Sequence, residues 1–128
     1  MICYCVYLLT FHSICAVHGM NGNAFETWAK GNNMWLRDFL PTSEHKNARI
    51  MTFGYNSQLL DRKTEMGIKQ WAIFLLQQVS SVRRGVSIQI PHAYAYNLTK
   101  CCGQLKDRPV IFIGYSLGGL IVREVWNM

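Results

Sequence analysis

Charge is scarce in this sequence, and acidic charge scarcest: charged residues make up 16% of 128 positions, with 7 Asp and Glu against 13 Lys and Arg. Half of the residues are hydrophobic, which excludes a disordered polyelectrolyte and places the chain among globular domains. The net charge of +6 is mild, and Arg83-Arg84 and the stretch from Lys100 to Arg108 are the only basic clusters. No nucleic-acid motif accompanies them, so they read as solvated surface and no nucleic-acid partner is expected. The five cysteines, Cys3, Cys5, Cys15, Cys101 and Cys102, are odd in number and include no pair of C-x-x-C knuckles. That argues against a disulfide framework and against a metal site, leaving reduced thiols. A long apolar run is also missing. Met1 to Phe11 is apolar and uncharged, but even extended through Val17 it is short for a membrane span. It lacks the basic start and small-residue cleavage site of a secretory signal. A hydrophobic strand or an incorrect chain start is the reading, with weak membrane association left open. At this length the chain holds at most one domain.

What is present is concentrated near the end. The apolar, β-branched run Val110-Ile111-Phe112-Ile113 leads into Gly114-Tyr115-Ser116-Leu117-Gly118, and a helix-compatible run follows. Gly-x-Ser-x-Gly alone is a weak signal, but strand, turn and helix in this order are the context of a nucleophile elbow. Gly114 and Gly118 would be the positions where a side chain collides with neighbouring backbone, and Ser116 the strained residue lifted to the sheet edge. The helix from Leu117 would aim its free N–H groups and positive dipole end at the reacting centre.

Earlier in the chain, Ser13 to Val17 reads as a short buried strand running into His18-Gly19-Met20-Asn21-Gly22-Asn23. A strand ending in His-Gly ahead of a serine elbow is where acyl-transfer enzymes place a loop N–H of the oxyanion hole, here Met20. The alternative is an ordinary turn with His18 as a structural hydrogen-bonder; Ser116 downstream favours the first reading. Trp35, Leu36, Phe39 and Leu40 share a helical face stopped by Pro41, and their spacing predicts core aromatics. Ala48 to Tyr55 reads as a second strand. Ile68, Trp71, Leu75, Val79 and Val82 form one stripe of an amphipathic helix over about 61–82. Val110 to Gly114 is the third strand and Leu117 to Trp126 the last helix. Strands alternating with helices predict an α/β fold with a parallel sheet.

Several stretches carry a resemblance: 16–23 (AVHGMNGN), 25–28 (FETW), 35–41 (WLRDFLP), 48–57 (ARIMTFGYNS) and 108–122 (RPVIFIGYSLGGLIV). On these the chain resembles the α/β-hydrolase superfamily, and within it the serine esterase and lipase group of SERAC-type and GPI-inositol-deacylase-like proteins, including fungal relatives. The resemblance implies strands three, four and five of the hydrolase sheet, side by side in the order four, three, five. It implies Ser116 as nucleophile, the N–H groups of Met20 and Leu117 as oxyanion donors, and an ester or lipid substrate with no cofactor. The group usually carries His at the position of Tyr115, which faces the pocket. Mitochondrial or endoplasmic-reticulum membranes are the implied compartments, with cytoplasm as alternative; the oligomeric state is not legible.

The fold's triad runs Ser, then Asp or Glu, then His along the chain. The residues after Ser116 include Glu124 but no histidine, and His12, His18, His45 and His92 all precede the serine. The resemblance thus implies a single, incomplete hydrolase domain over 1–128, an amino-terminal fragment with nucleophile and oxyanion loop but neither triad acid nor base. Inactivity as written is expected, because an unassisted serine hydroxyl attacks esters poorly at neutral pH. A non-catalytic binding or signalling module of the same family is the alternative. Residues 86–104 have no counterpart in the group, and their removal leaves a loop of ordinary length. Val86-Ser87 can be encoded GTGAGT, Leu98-Thr99 can supply CTGAC, and Gln104 can be CAG, so the segment reads as a translated intron. The competing reading is a lid with Pro91, Tyr94 and Tyr96 against substrate.

Overall fold

The computed structural model describes residues 2–5, 12–42, 48–60, 67–84 and 109–128. The elements are β1 (Ile2–Cys5), β2 (His12–Val17), β3 (Ala29–Lys30), β4 (Asn33–Met34), α1 (Trp35–Asp38), β5 (Ala48–Phe53), α2 (Ile68–Arg84), β6 (Val110–Gly114) and α3 (Leu117–Trp126). Single 3-10 turns occupy Glu26–Trp28, Leu40–Thr42 and Ser57–Leu60.

The apolar runs form one sheet in the order β1-β5-β2-β6. β2 pairs parallel with β5 and with β6, in a register that sets Ile14 beside Ile50 and Ile111, and Cys15 beside Met51 and Phe112. The expected parallel three-stranded sheet is therefore present, with β2 at its centre. The sheet has one strand more than the three that the resemblance implies. β1 adds an antiparallel fourth strand that covers β5, with Ile2 opposite Thr52 and Cys5 opposite Arg49. Its brevity and the absence of turn residues around it hid this pairing from the sequence. The outer edge of β6 carries no partner strand among the described residues, and Ile111 is 43% exposed there.

Period-two alternation sends the strands' side chains to two cores. Cys15, Val17, Met51 and Phe53 face α2 and α3, against Trp71, Leu75, Val79, Val82, Leu117 and Ile121. The predicted α2 stripe is the face that packs. Ile14, Ala16, Ala48 and Ile50 face the other way, against Trp28, Met34 and Leu36. Strands covered on both faces read as continuous apolar runs, which is why β2 and β5 lack polar alternation.

The second layer differs from expectation in detail. Gly31 and Asn32 are the two-residue turn of a β3–β4 hairpin, with Gly31 at φ +59°. α1 is a single turn; Asp38 accepts from the Met34 N–H (2.7 Å) and pairs with Arg37. The Arg37 contact first, and the Met34 N–H second, hold its carboxyl below the usual carboxylate range. Only Leu36 of the predicted core aromatic face is buried fully. Trp35 and Phe39 stand on the surface, because the turn directs its Leu36–Leu40 side to the core and Trp35 and Phe39 lie about 100° round the helix from it.

Candidate functional site

Val17, Phe53 and Gly114 lie side by side in register at the carboxyl ends of β2, β5 and β6. The segments that leave those ends therefore share one edge: His18-Gly19-Met20, Gly54-Tyr55 and Tyr115-Ser116-Leu117. In parallel α/β sheets this is the edge where ligands bind.

The elbow begins one residue past β6, where the Tyr115 N–H donates to the Val17 carbonyl at 3.0 Å. Ser116 then takes φ 52° and ψ −120°, a left-handed backbone that a non-glycine residue adopts only under strain. α3 starts at the next residue. The Gly118 and Gly119 N–H groups close back on the carbonyls of Tyr115 and Ser116, both at 2.9 Å. Leu117 is the first residue of α3, so its N–H has no intrahelical acceptor. Ser116 itself is exposed.

Two glycines make this turn possible. A Cβ on Gly114 would lie 2.5 Å from the Gly119 Cα and 2.7 Å from its nitrogen. A Cβ on Gly118 would collide with the Val17 carbonyl oxygen and lie 2.5 Å from that of His18. Gly118 thereby presses α3 onto the start of the His18 loop.

That loop is built as a turn. The Gly22 N–H donates to the Gly19 carbonyl at 3.2 Å, and Asn21 sits at φ 57° in the third position, where Asn is tolerated. The turn's own bond uses Gly22 and leaves the Met20 N–H outside it. A Cβ on Gly19 would stand 2.9 Å from the Ser116 Cβ, so Met20 follows directly on the contact between loop and serine. The Met20 side chain is 57% exposed. Asn23 anchors the far end, its Oδ1 accepting from the N–H groups of Phe25 (2.9 Å) and Glu26 (2.7 Å).

His18 is fully buried and both ring nitrogens are engaged with backbone. Nδ1 lies 2.8 Å from the Gly19 carbonyl, to which it donates, and Nε2 accepts from the Tyr55 N–H at 3.3 Å. No lone pair remains for a serine proton, so His18 is structural and not a base. The Tyr55 hydroxyl donates to the His18 carbonyl at 2.9 Å, and the two rings stack with centroids 4.3 Å apart. Burial pushes the Tyr55 phenol up to about 12. The sequence pattern puts Tyr55 at the end of the second strand with no role at the site, whereas that strand ends at Phe53; the register of Val17 with Phe53 is the signal that sets Tyr55 beside Gly19.

His12 stands at the opposite end of β2, roughly 17 Å away at about 3.3 Å per residue. Glu124 lies two turns along α3, about 12 Å from Ser116 at 1.5 Å per residue. His45, His92 and the segment 86–104 fall outside the described residues. Among the described residues no cluster of three metal-ligating side chains occurs, and no helix is long and apolar enough to cross a membrane. A groove of about 510 Å³ lined by Thr27, Trp28, Ala29, Lys30, Asn33, Trp35 and Phe39 opens beside the hairpin. Comparison of the chain with protein-family models, with curated proteins and with solved structures finds no match in any of the three.

Proposed function

We propose that this chain carries the nucleophile half of a serine esterase or lipase site, built on a partial α/β-hydrolase fold. The observation that supports this most is Ser116 at φ 52° and ψ −120° between a parallel strand and a helix, with both flanking glycines sterically required. Strain at a non-glycine residue is retained where function needs the side chain there. The strand order β5-β2-β6 agrees with the order four, three, five that the resemblance implies.

In this reading the Ser116 Oγ bonds to the carbonyl carbon of an ester while its proton passes to a base. The Leu117 and Met20 N–H groups receive the developing oxyanion. Collapse of that intermediate expels the alcohol, which takes the proton, and water then releases the acid from the acyl-serine. Neither the base nor its carboxylate partner comes from the described residues: His18 is engaged on both nitrogens and His12 is a strand's length away.

Exposure of the chain to an alkyl fluorophosphonate in imidazole buffer, which supplies the base, tests the reading. Intact mass and peptide mapping should find one phosphonyl group, on Ser116, and none on a Ser116→Ala variant. Modification scattered over other hydroxyls at equal rates would remove the reading.

A further inference from the structure

Resting on that reading of the site, we infer that Tyr55 is the positioning residue of the oxyanion loop, setting the direction of the Met20 N–H through His18. A single peptide joins Gly19 to Met20. It is planar and trans, so its N–H points opposite to its C=O. The Gly19 oxygen accepts from the His18 Nδ1 at 2.8 Å and from the Gly22 N–H at 3.2 Å. With that oxygen held on one side, the Met20 N–H is directed to the other.

Whether His18 can hold it depends on which ring nitrogen carries the proton. Neutral imidazole has one donor and one acceptor. The Tyr55 N–H pointing at Nε2 requires that nitrogen to accept, and this leaves the proton on Nδ1, where it bonds the Gly19 oxygen. The Tyr55 backbone thus selects the tautomer. Its hydroxyl fixes the next peptide upstream by donating to the His18 carbonyl, and its ring covers the imidazole at an interplanar angle of 15°. Tyr55 is itself wedged between Phe53 at 5.7 Å and Trp71 of α2 at 5.1 Å. A continuous path of direct contacts runs from α2 through Tyr55 and His18 to the Gly19–Met20 peptide.

Two measurements on the full chain test this. Long-range proton–nitrogen correlation of the histidine rings in ¹⁵N-labelled protein should place the His18 proton on Nδ1; a proton on Nε2 would overturn the inference without any variant. Tyr55→Phe keeps the ring and the backbone N–H and removes only the hydroxyl bond. It should move the Met20 amide resonance and slow phosphonylation of Ser116 by the fluorophosphonate about tenfold, part of the loss that follows removal of an oxyanion donor. Phe74→Leu disturbs the same aromatic cluster through Phe53 and Trp71 and should leave both readings unchanged. An unmoved Met20 amide, or an equal effect from Phe74→Leu, would overturn the inference. Should Ser116 take up no phosphonate in any variant, the serine reading falls, and the tautomer and the Met20 amide still decide the role of Tyr55.

Discussion

Gly118→Ala separates the steric account of the elbow from helix propensity, because the two predict opposite signs. Gly118 lies in the first turn of α3, where exchanging Gly for Ala ordinarily stabilises a helix by about 1 kcal/mol. Here the added methyl would collide with the Val17 oxygen and stand 2.5 Å from the His18 oxygen. Both are backbone atoms at the end of the central strand, and the Val17 oxygen already accepts the Tyr115 N–H. Neither can swing aside as a side chain would. Relief requires α3 to move away from β2 by on the order of 1 Å, which opens the packing of Leu117 and Ile121 and costs about 3 kcal/mol, typical of severe overpacking. Net of propensity, about 2 kcal/mol of stability is lost, or roughly 8 °C in Tm for a chain of this size. Gly119→Ala is the internal control. Its Cβ would meet only the Gly114 oxygen at 3.8 Å, an ordinary contact, so stability should rise by about 0.5–1 kcal/mol. Urea unfolding followed by tryptophan fluorescence measures both. Equal midpoints for the two variants, or a gain in Gly118→Ala, would refute the claim that the elbow rests on the β2 carbonyls.

Ser116→Gly should stabilise the chain by about 1 kcal/mol, since glycine takes a φ of 52° without strain, whereas Ser116→Ala should gain nothing; urea midpoints check this. Leu75→Ala, at a fully buried α2 position under the sheet, should cost about 2–5 kcal/mol by the same assay. Stability should fall at alkaline pH. The folded Tyr55 phenol titrates at about 12 against 10.0 for the free group, so its contribution is complete below about pH 10 and is lost as pH rises toward 12. Urea midpoints across that window should fall more steeply for the natural chain than for Tyr55→Phe.

The parts of the fold written in local patterns were legible. Two continuous apolar runs gave β2 and β6, a 3.6-residue stripe gave α2, and Gly-x-Ser-x-Gly located the turn between β6 and α3. What was not legible depends on neighbours in space. β1 is four residues long and its pairing with β5 joins segments more than forty positions apart, so no period announces it. Trp35 and Phe39 have helical spacing, but the side of α1 that meets the core is that of Leu36 and Leu40, a choice that the spacing alone does not make. His18 was recognisable as part of the loop motif. Its partner Tyr55 was not, because their contact follows from strand order: β5 lies next to β2 although thirty residues separate them, and only then does Tyr55 stand beside Gly19.

The dependence of Ser116 phosphonylation on imidazole concentration tests the central claim most directly. If Ser116 is a strained nucleophile facing two N–H donors but lacking a base in reach, the reaction with an alkyl fluorophosphonate is very slow in imidazole-free buffer. Its rate then rises in proportion to free imidazole and disappears in Ser116→Ala. A fast reaction at Ser116 without imidazole would show a base within the chain that this account does not place. No modification of Ser116 at any imidazole concentration would contradict its assignment as a nucleophile.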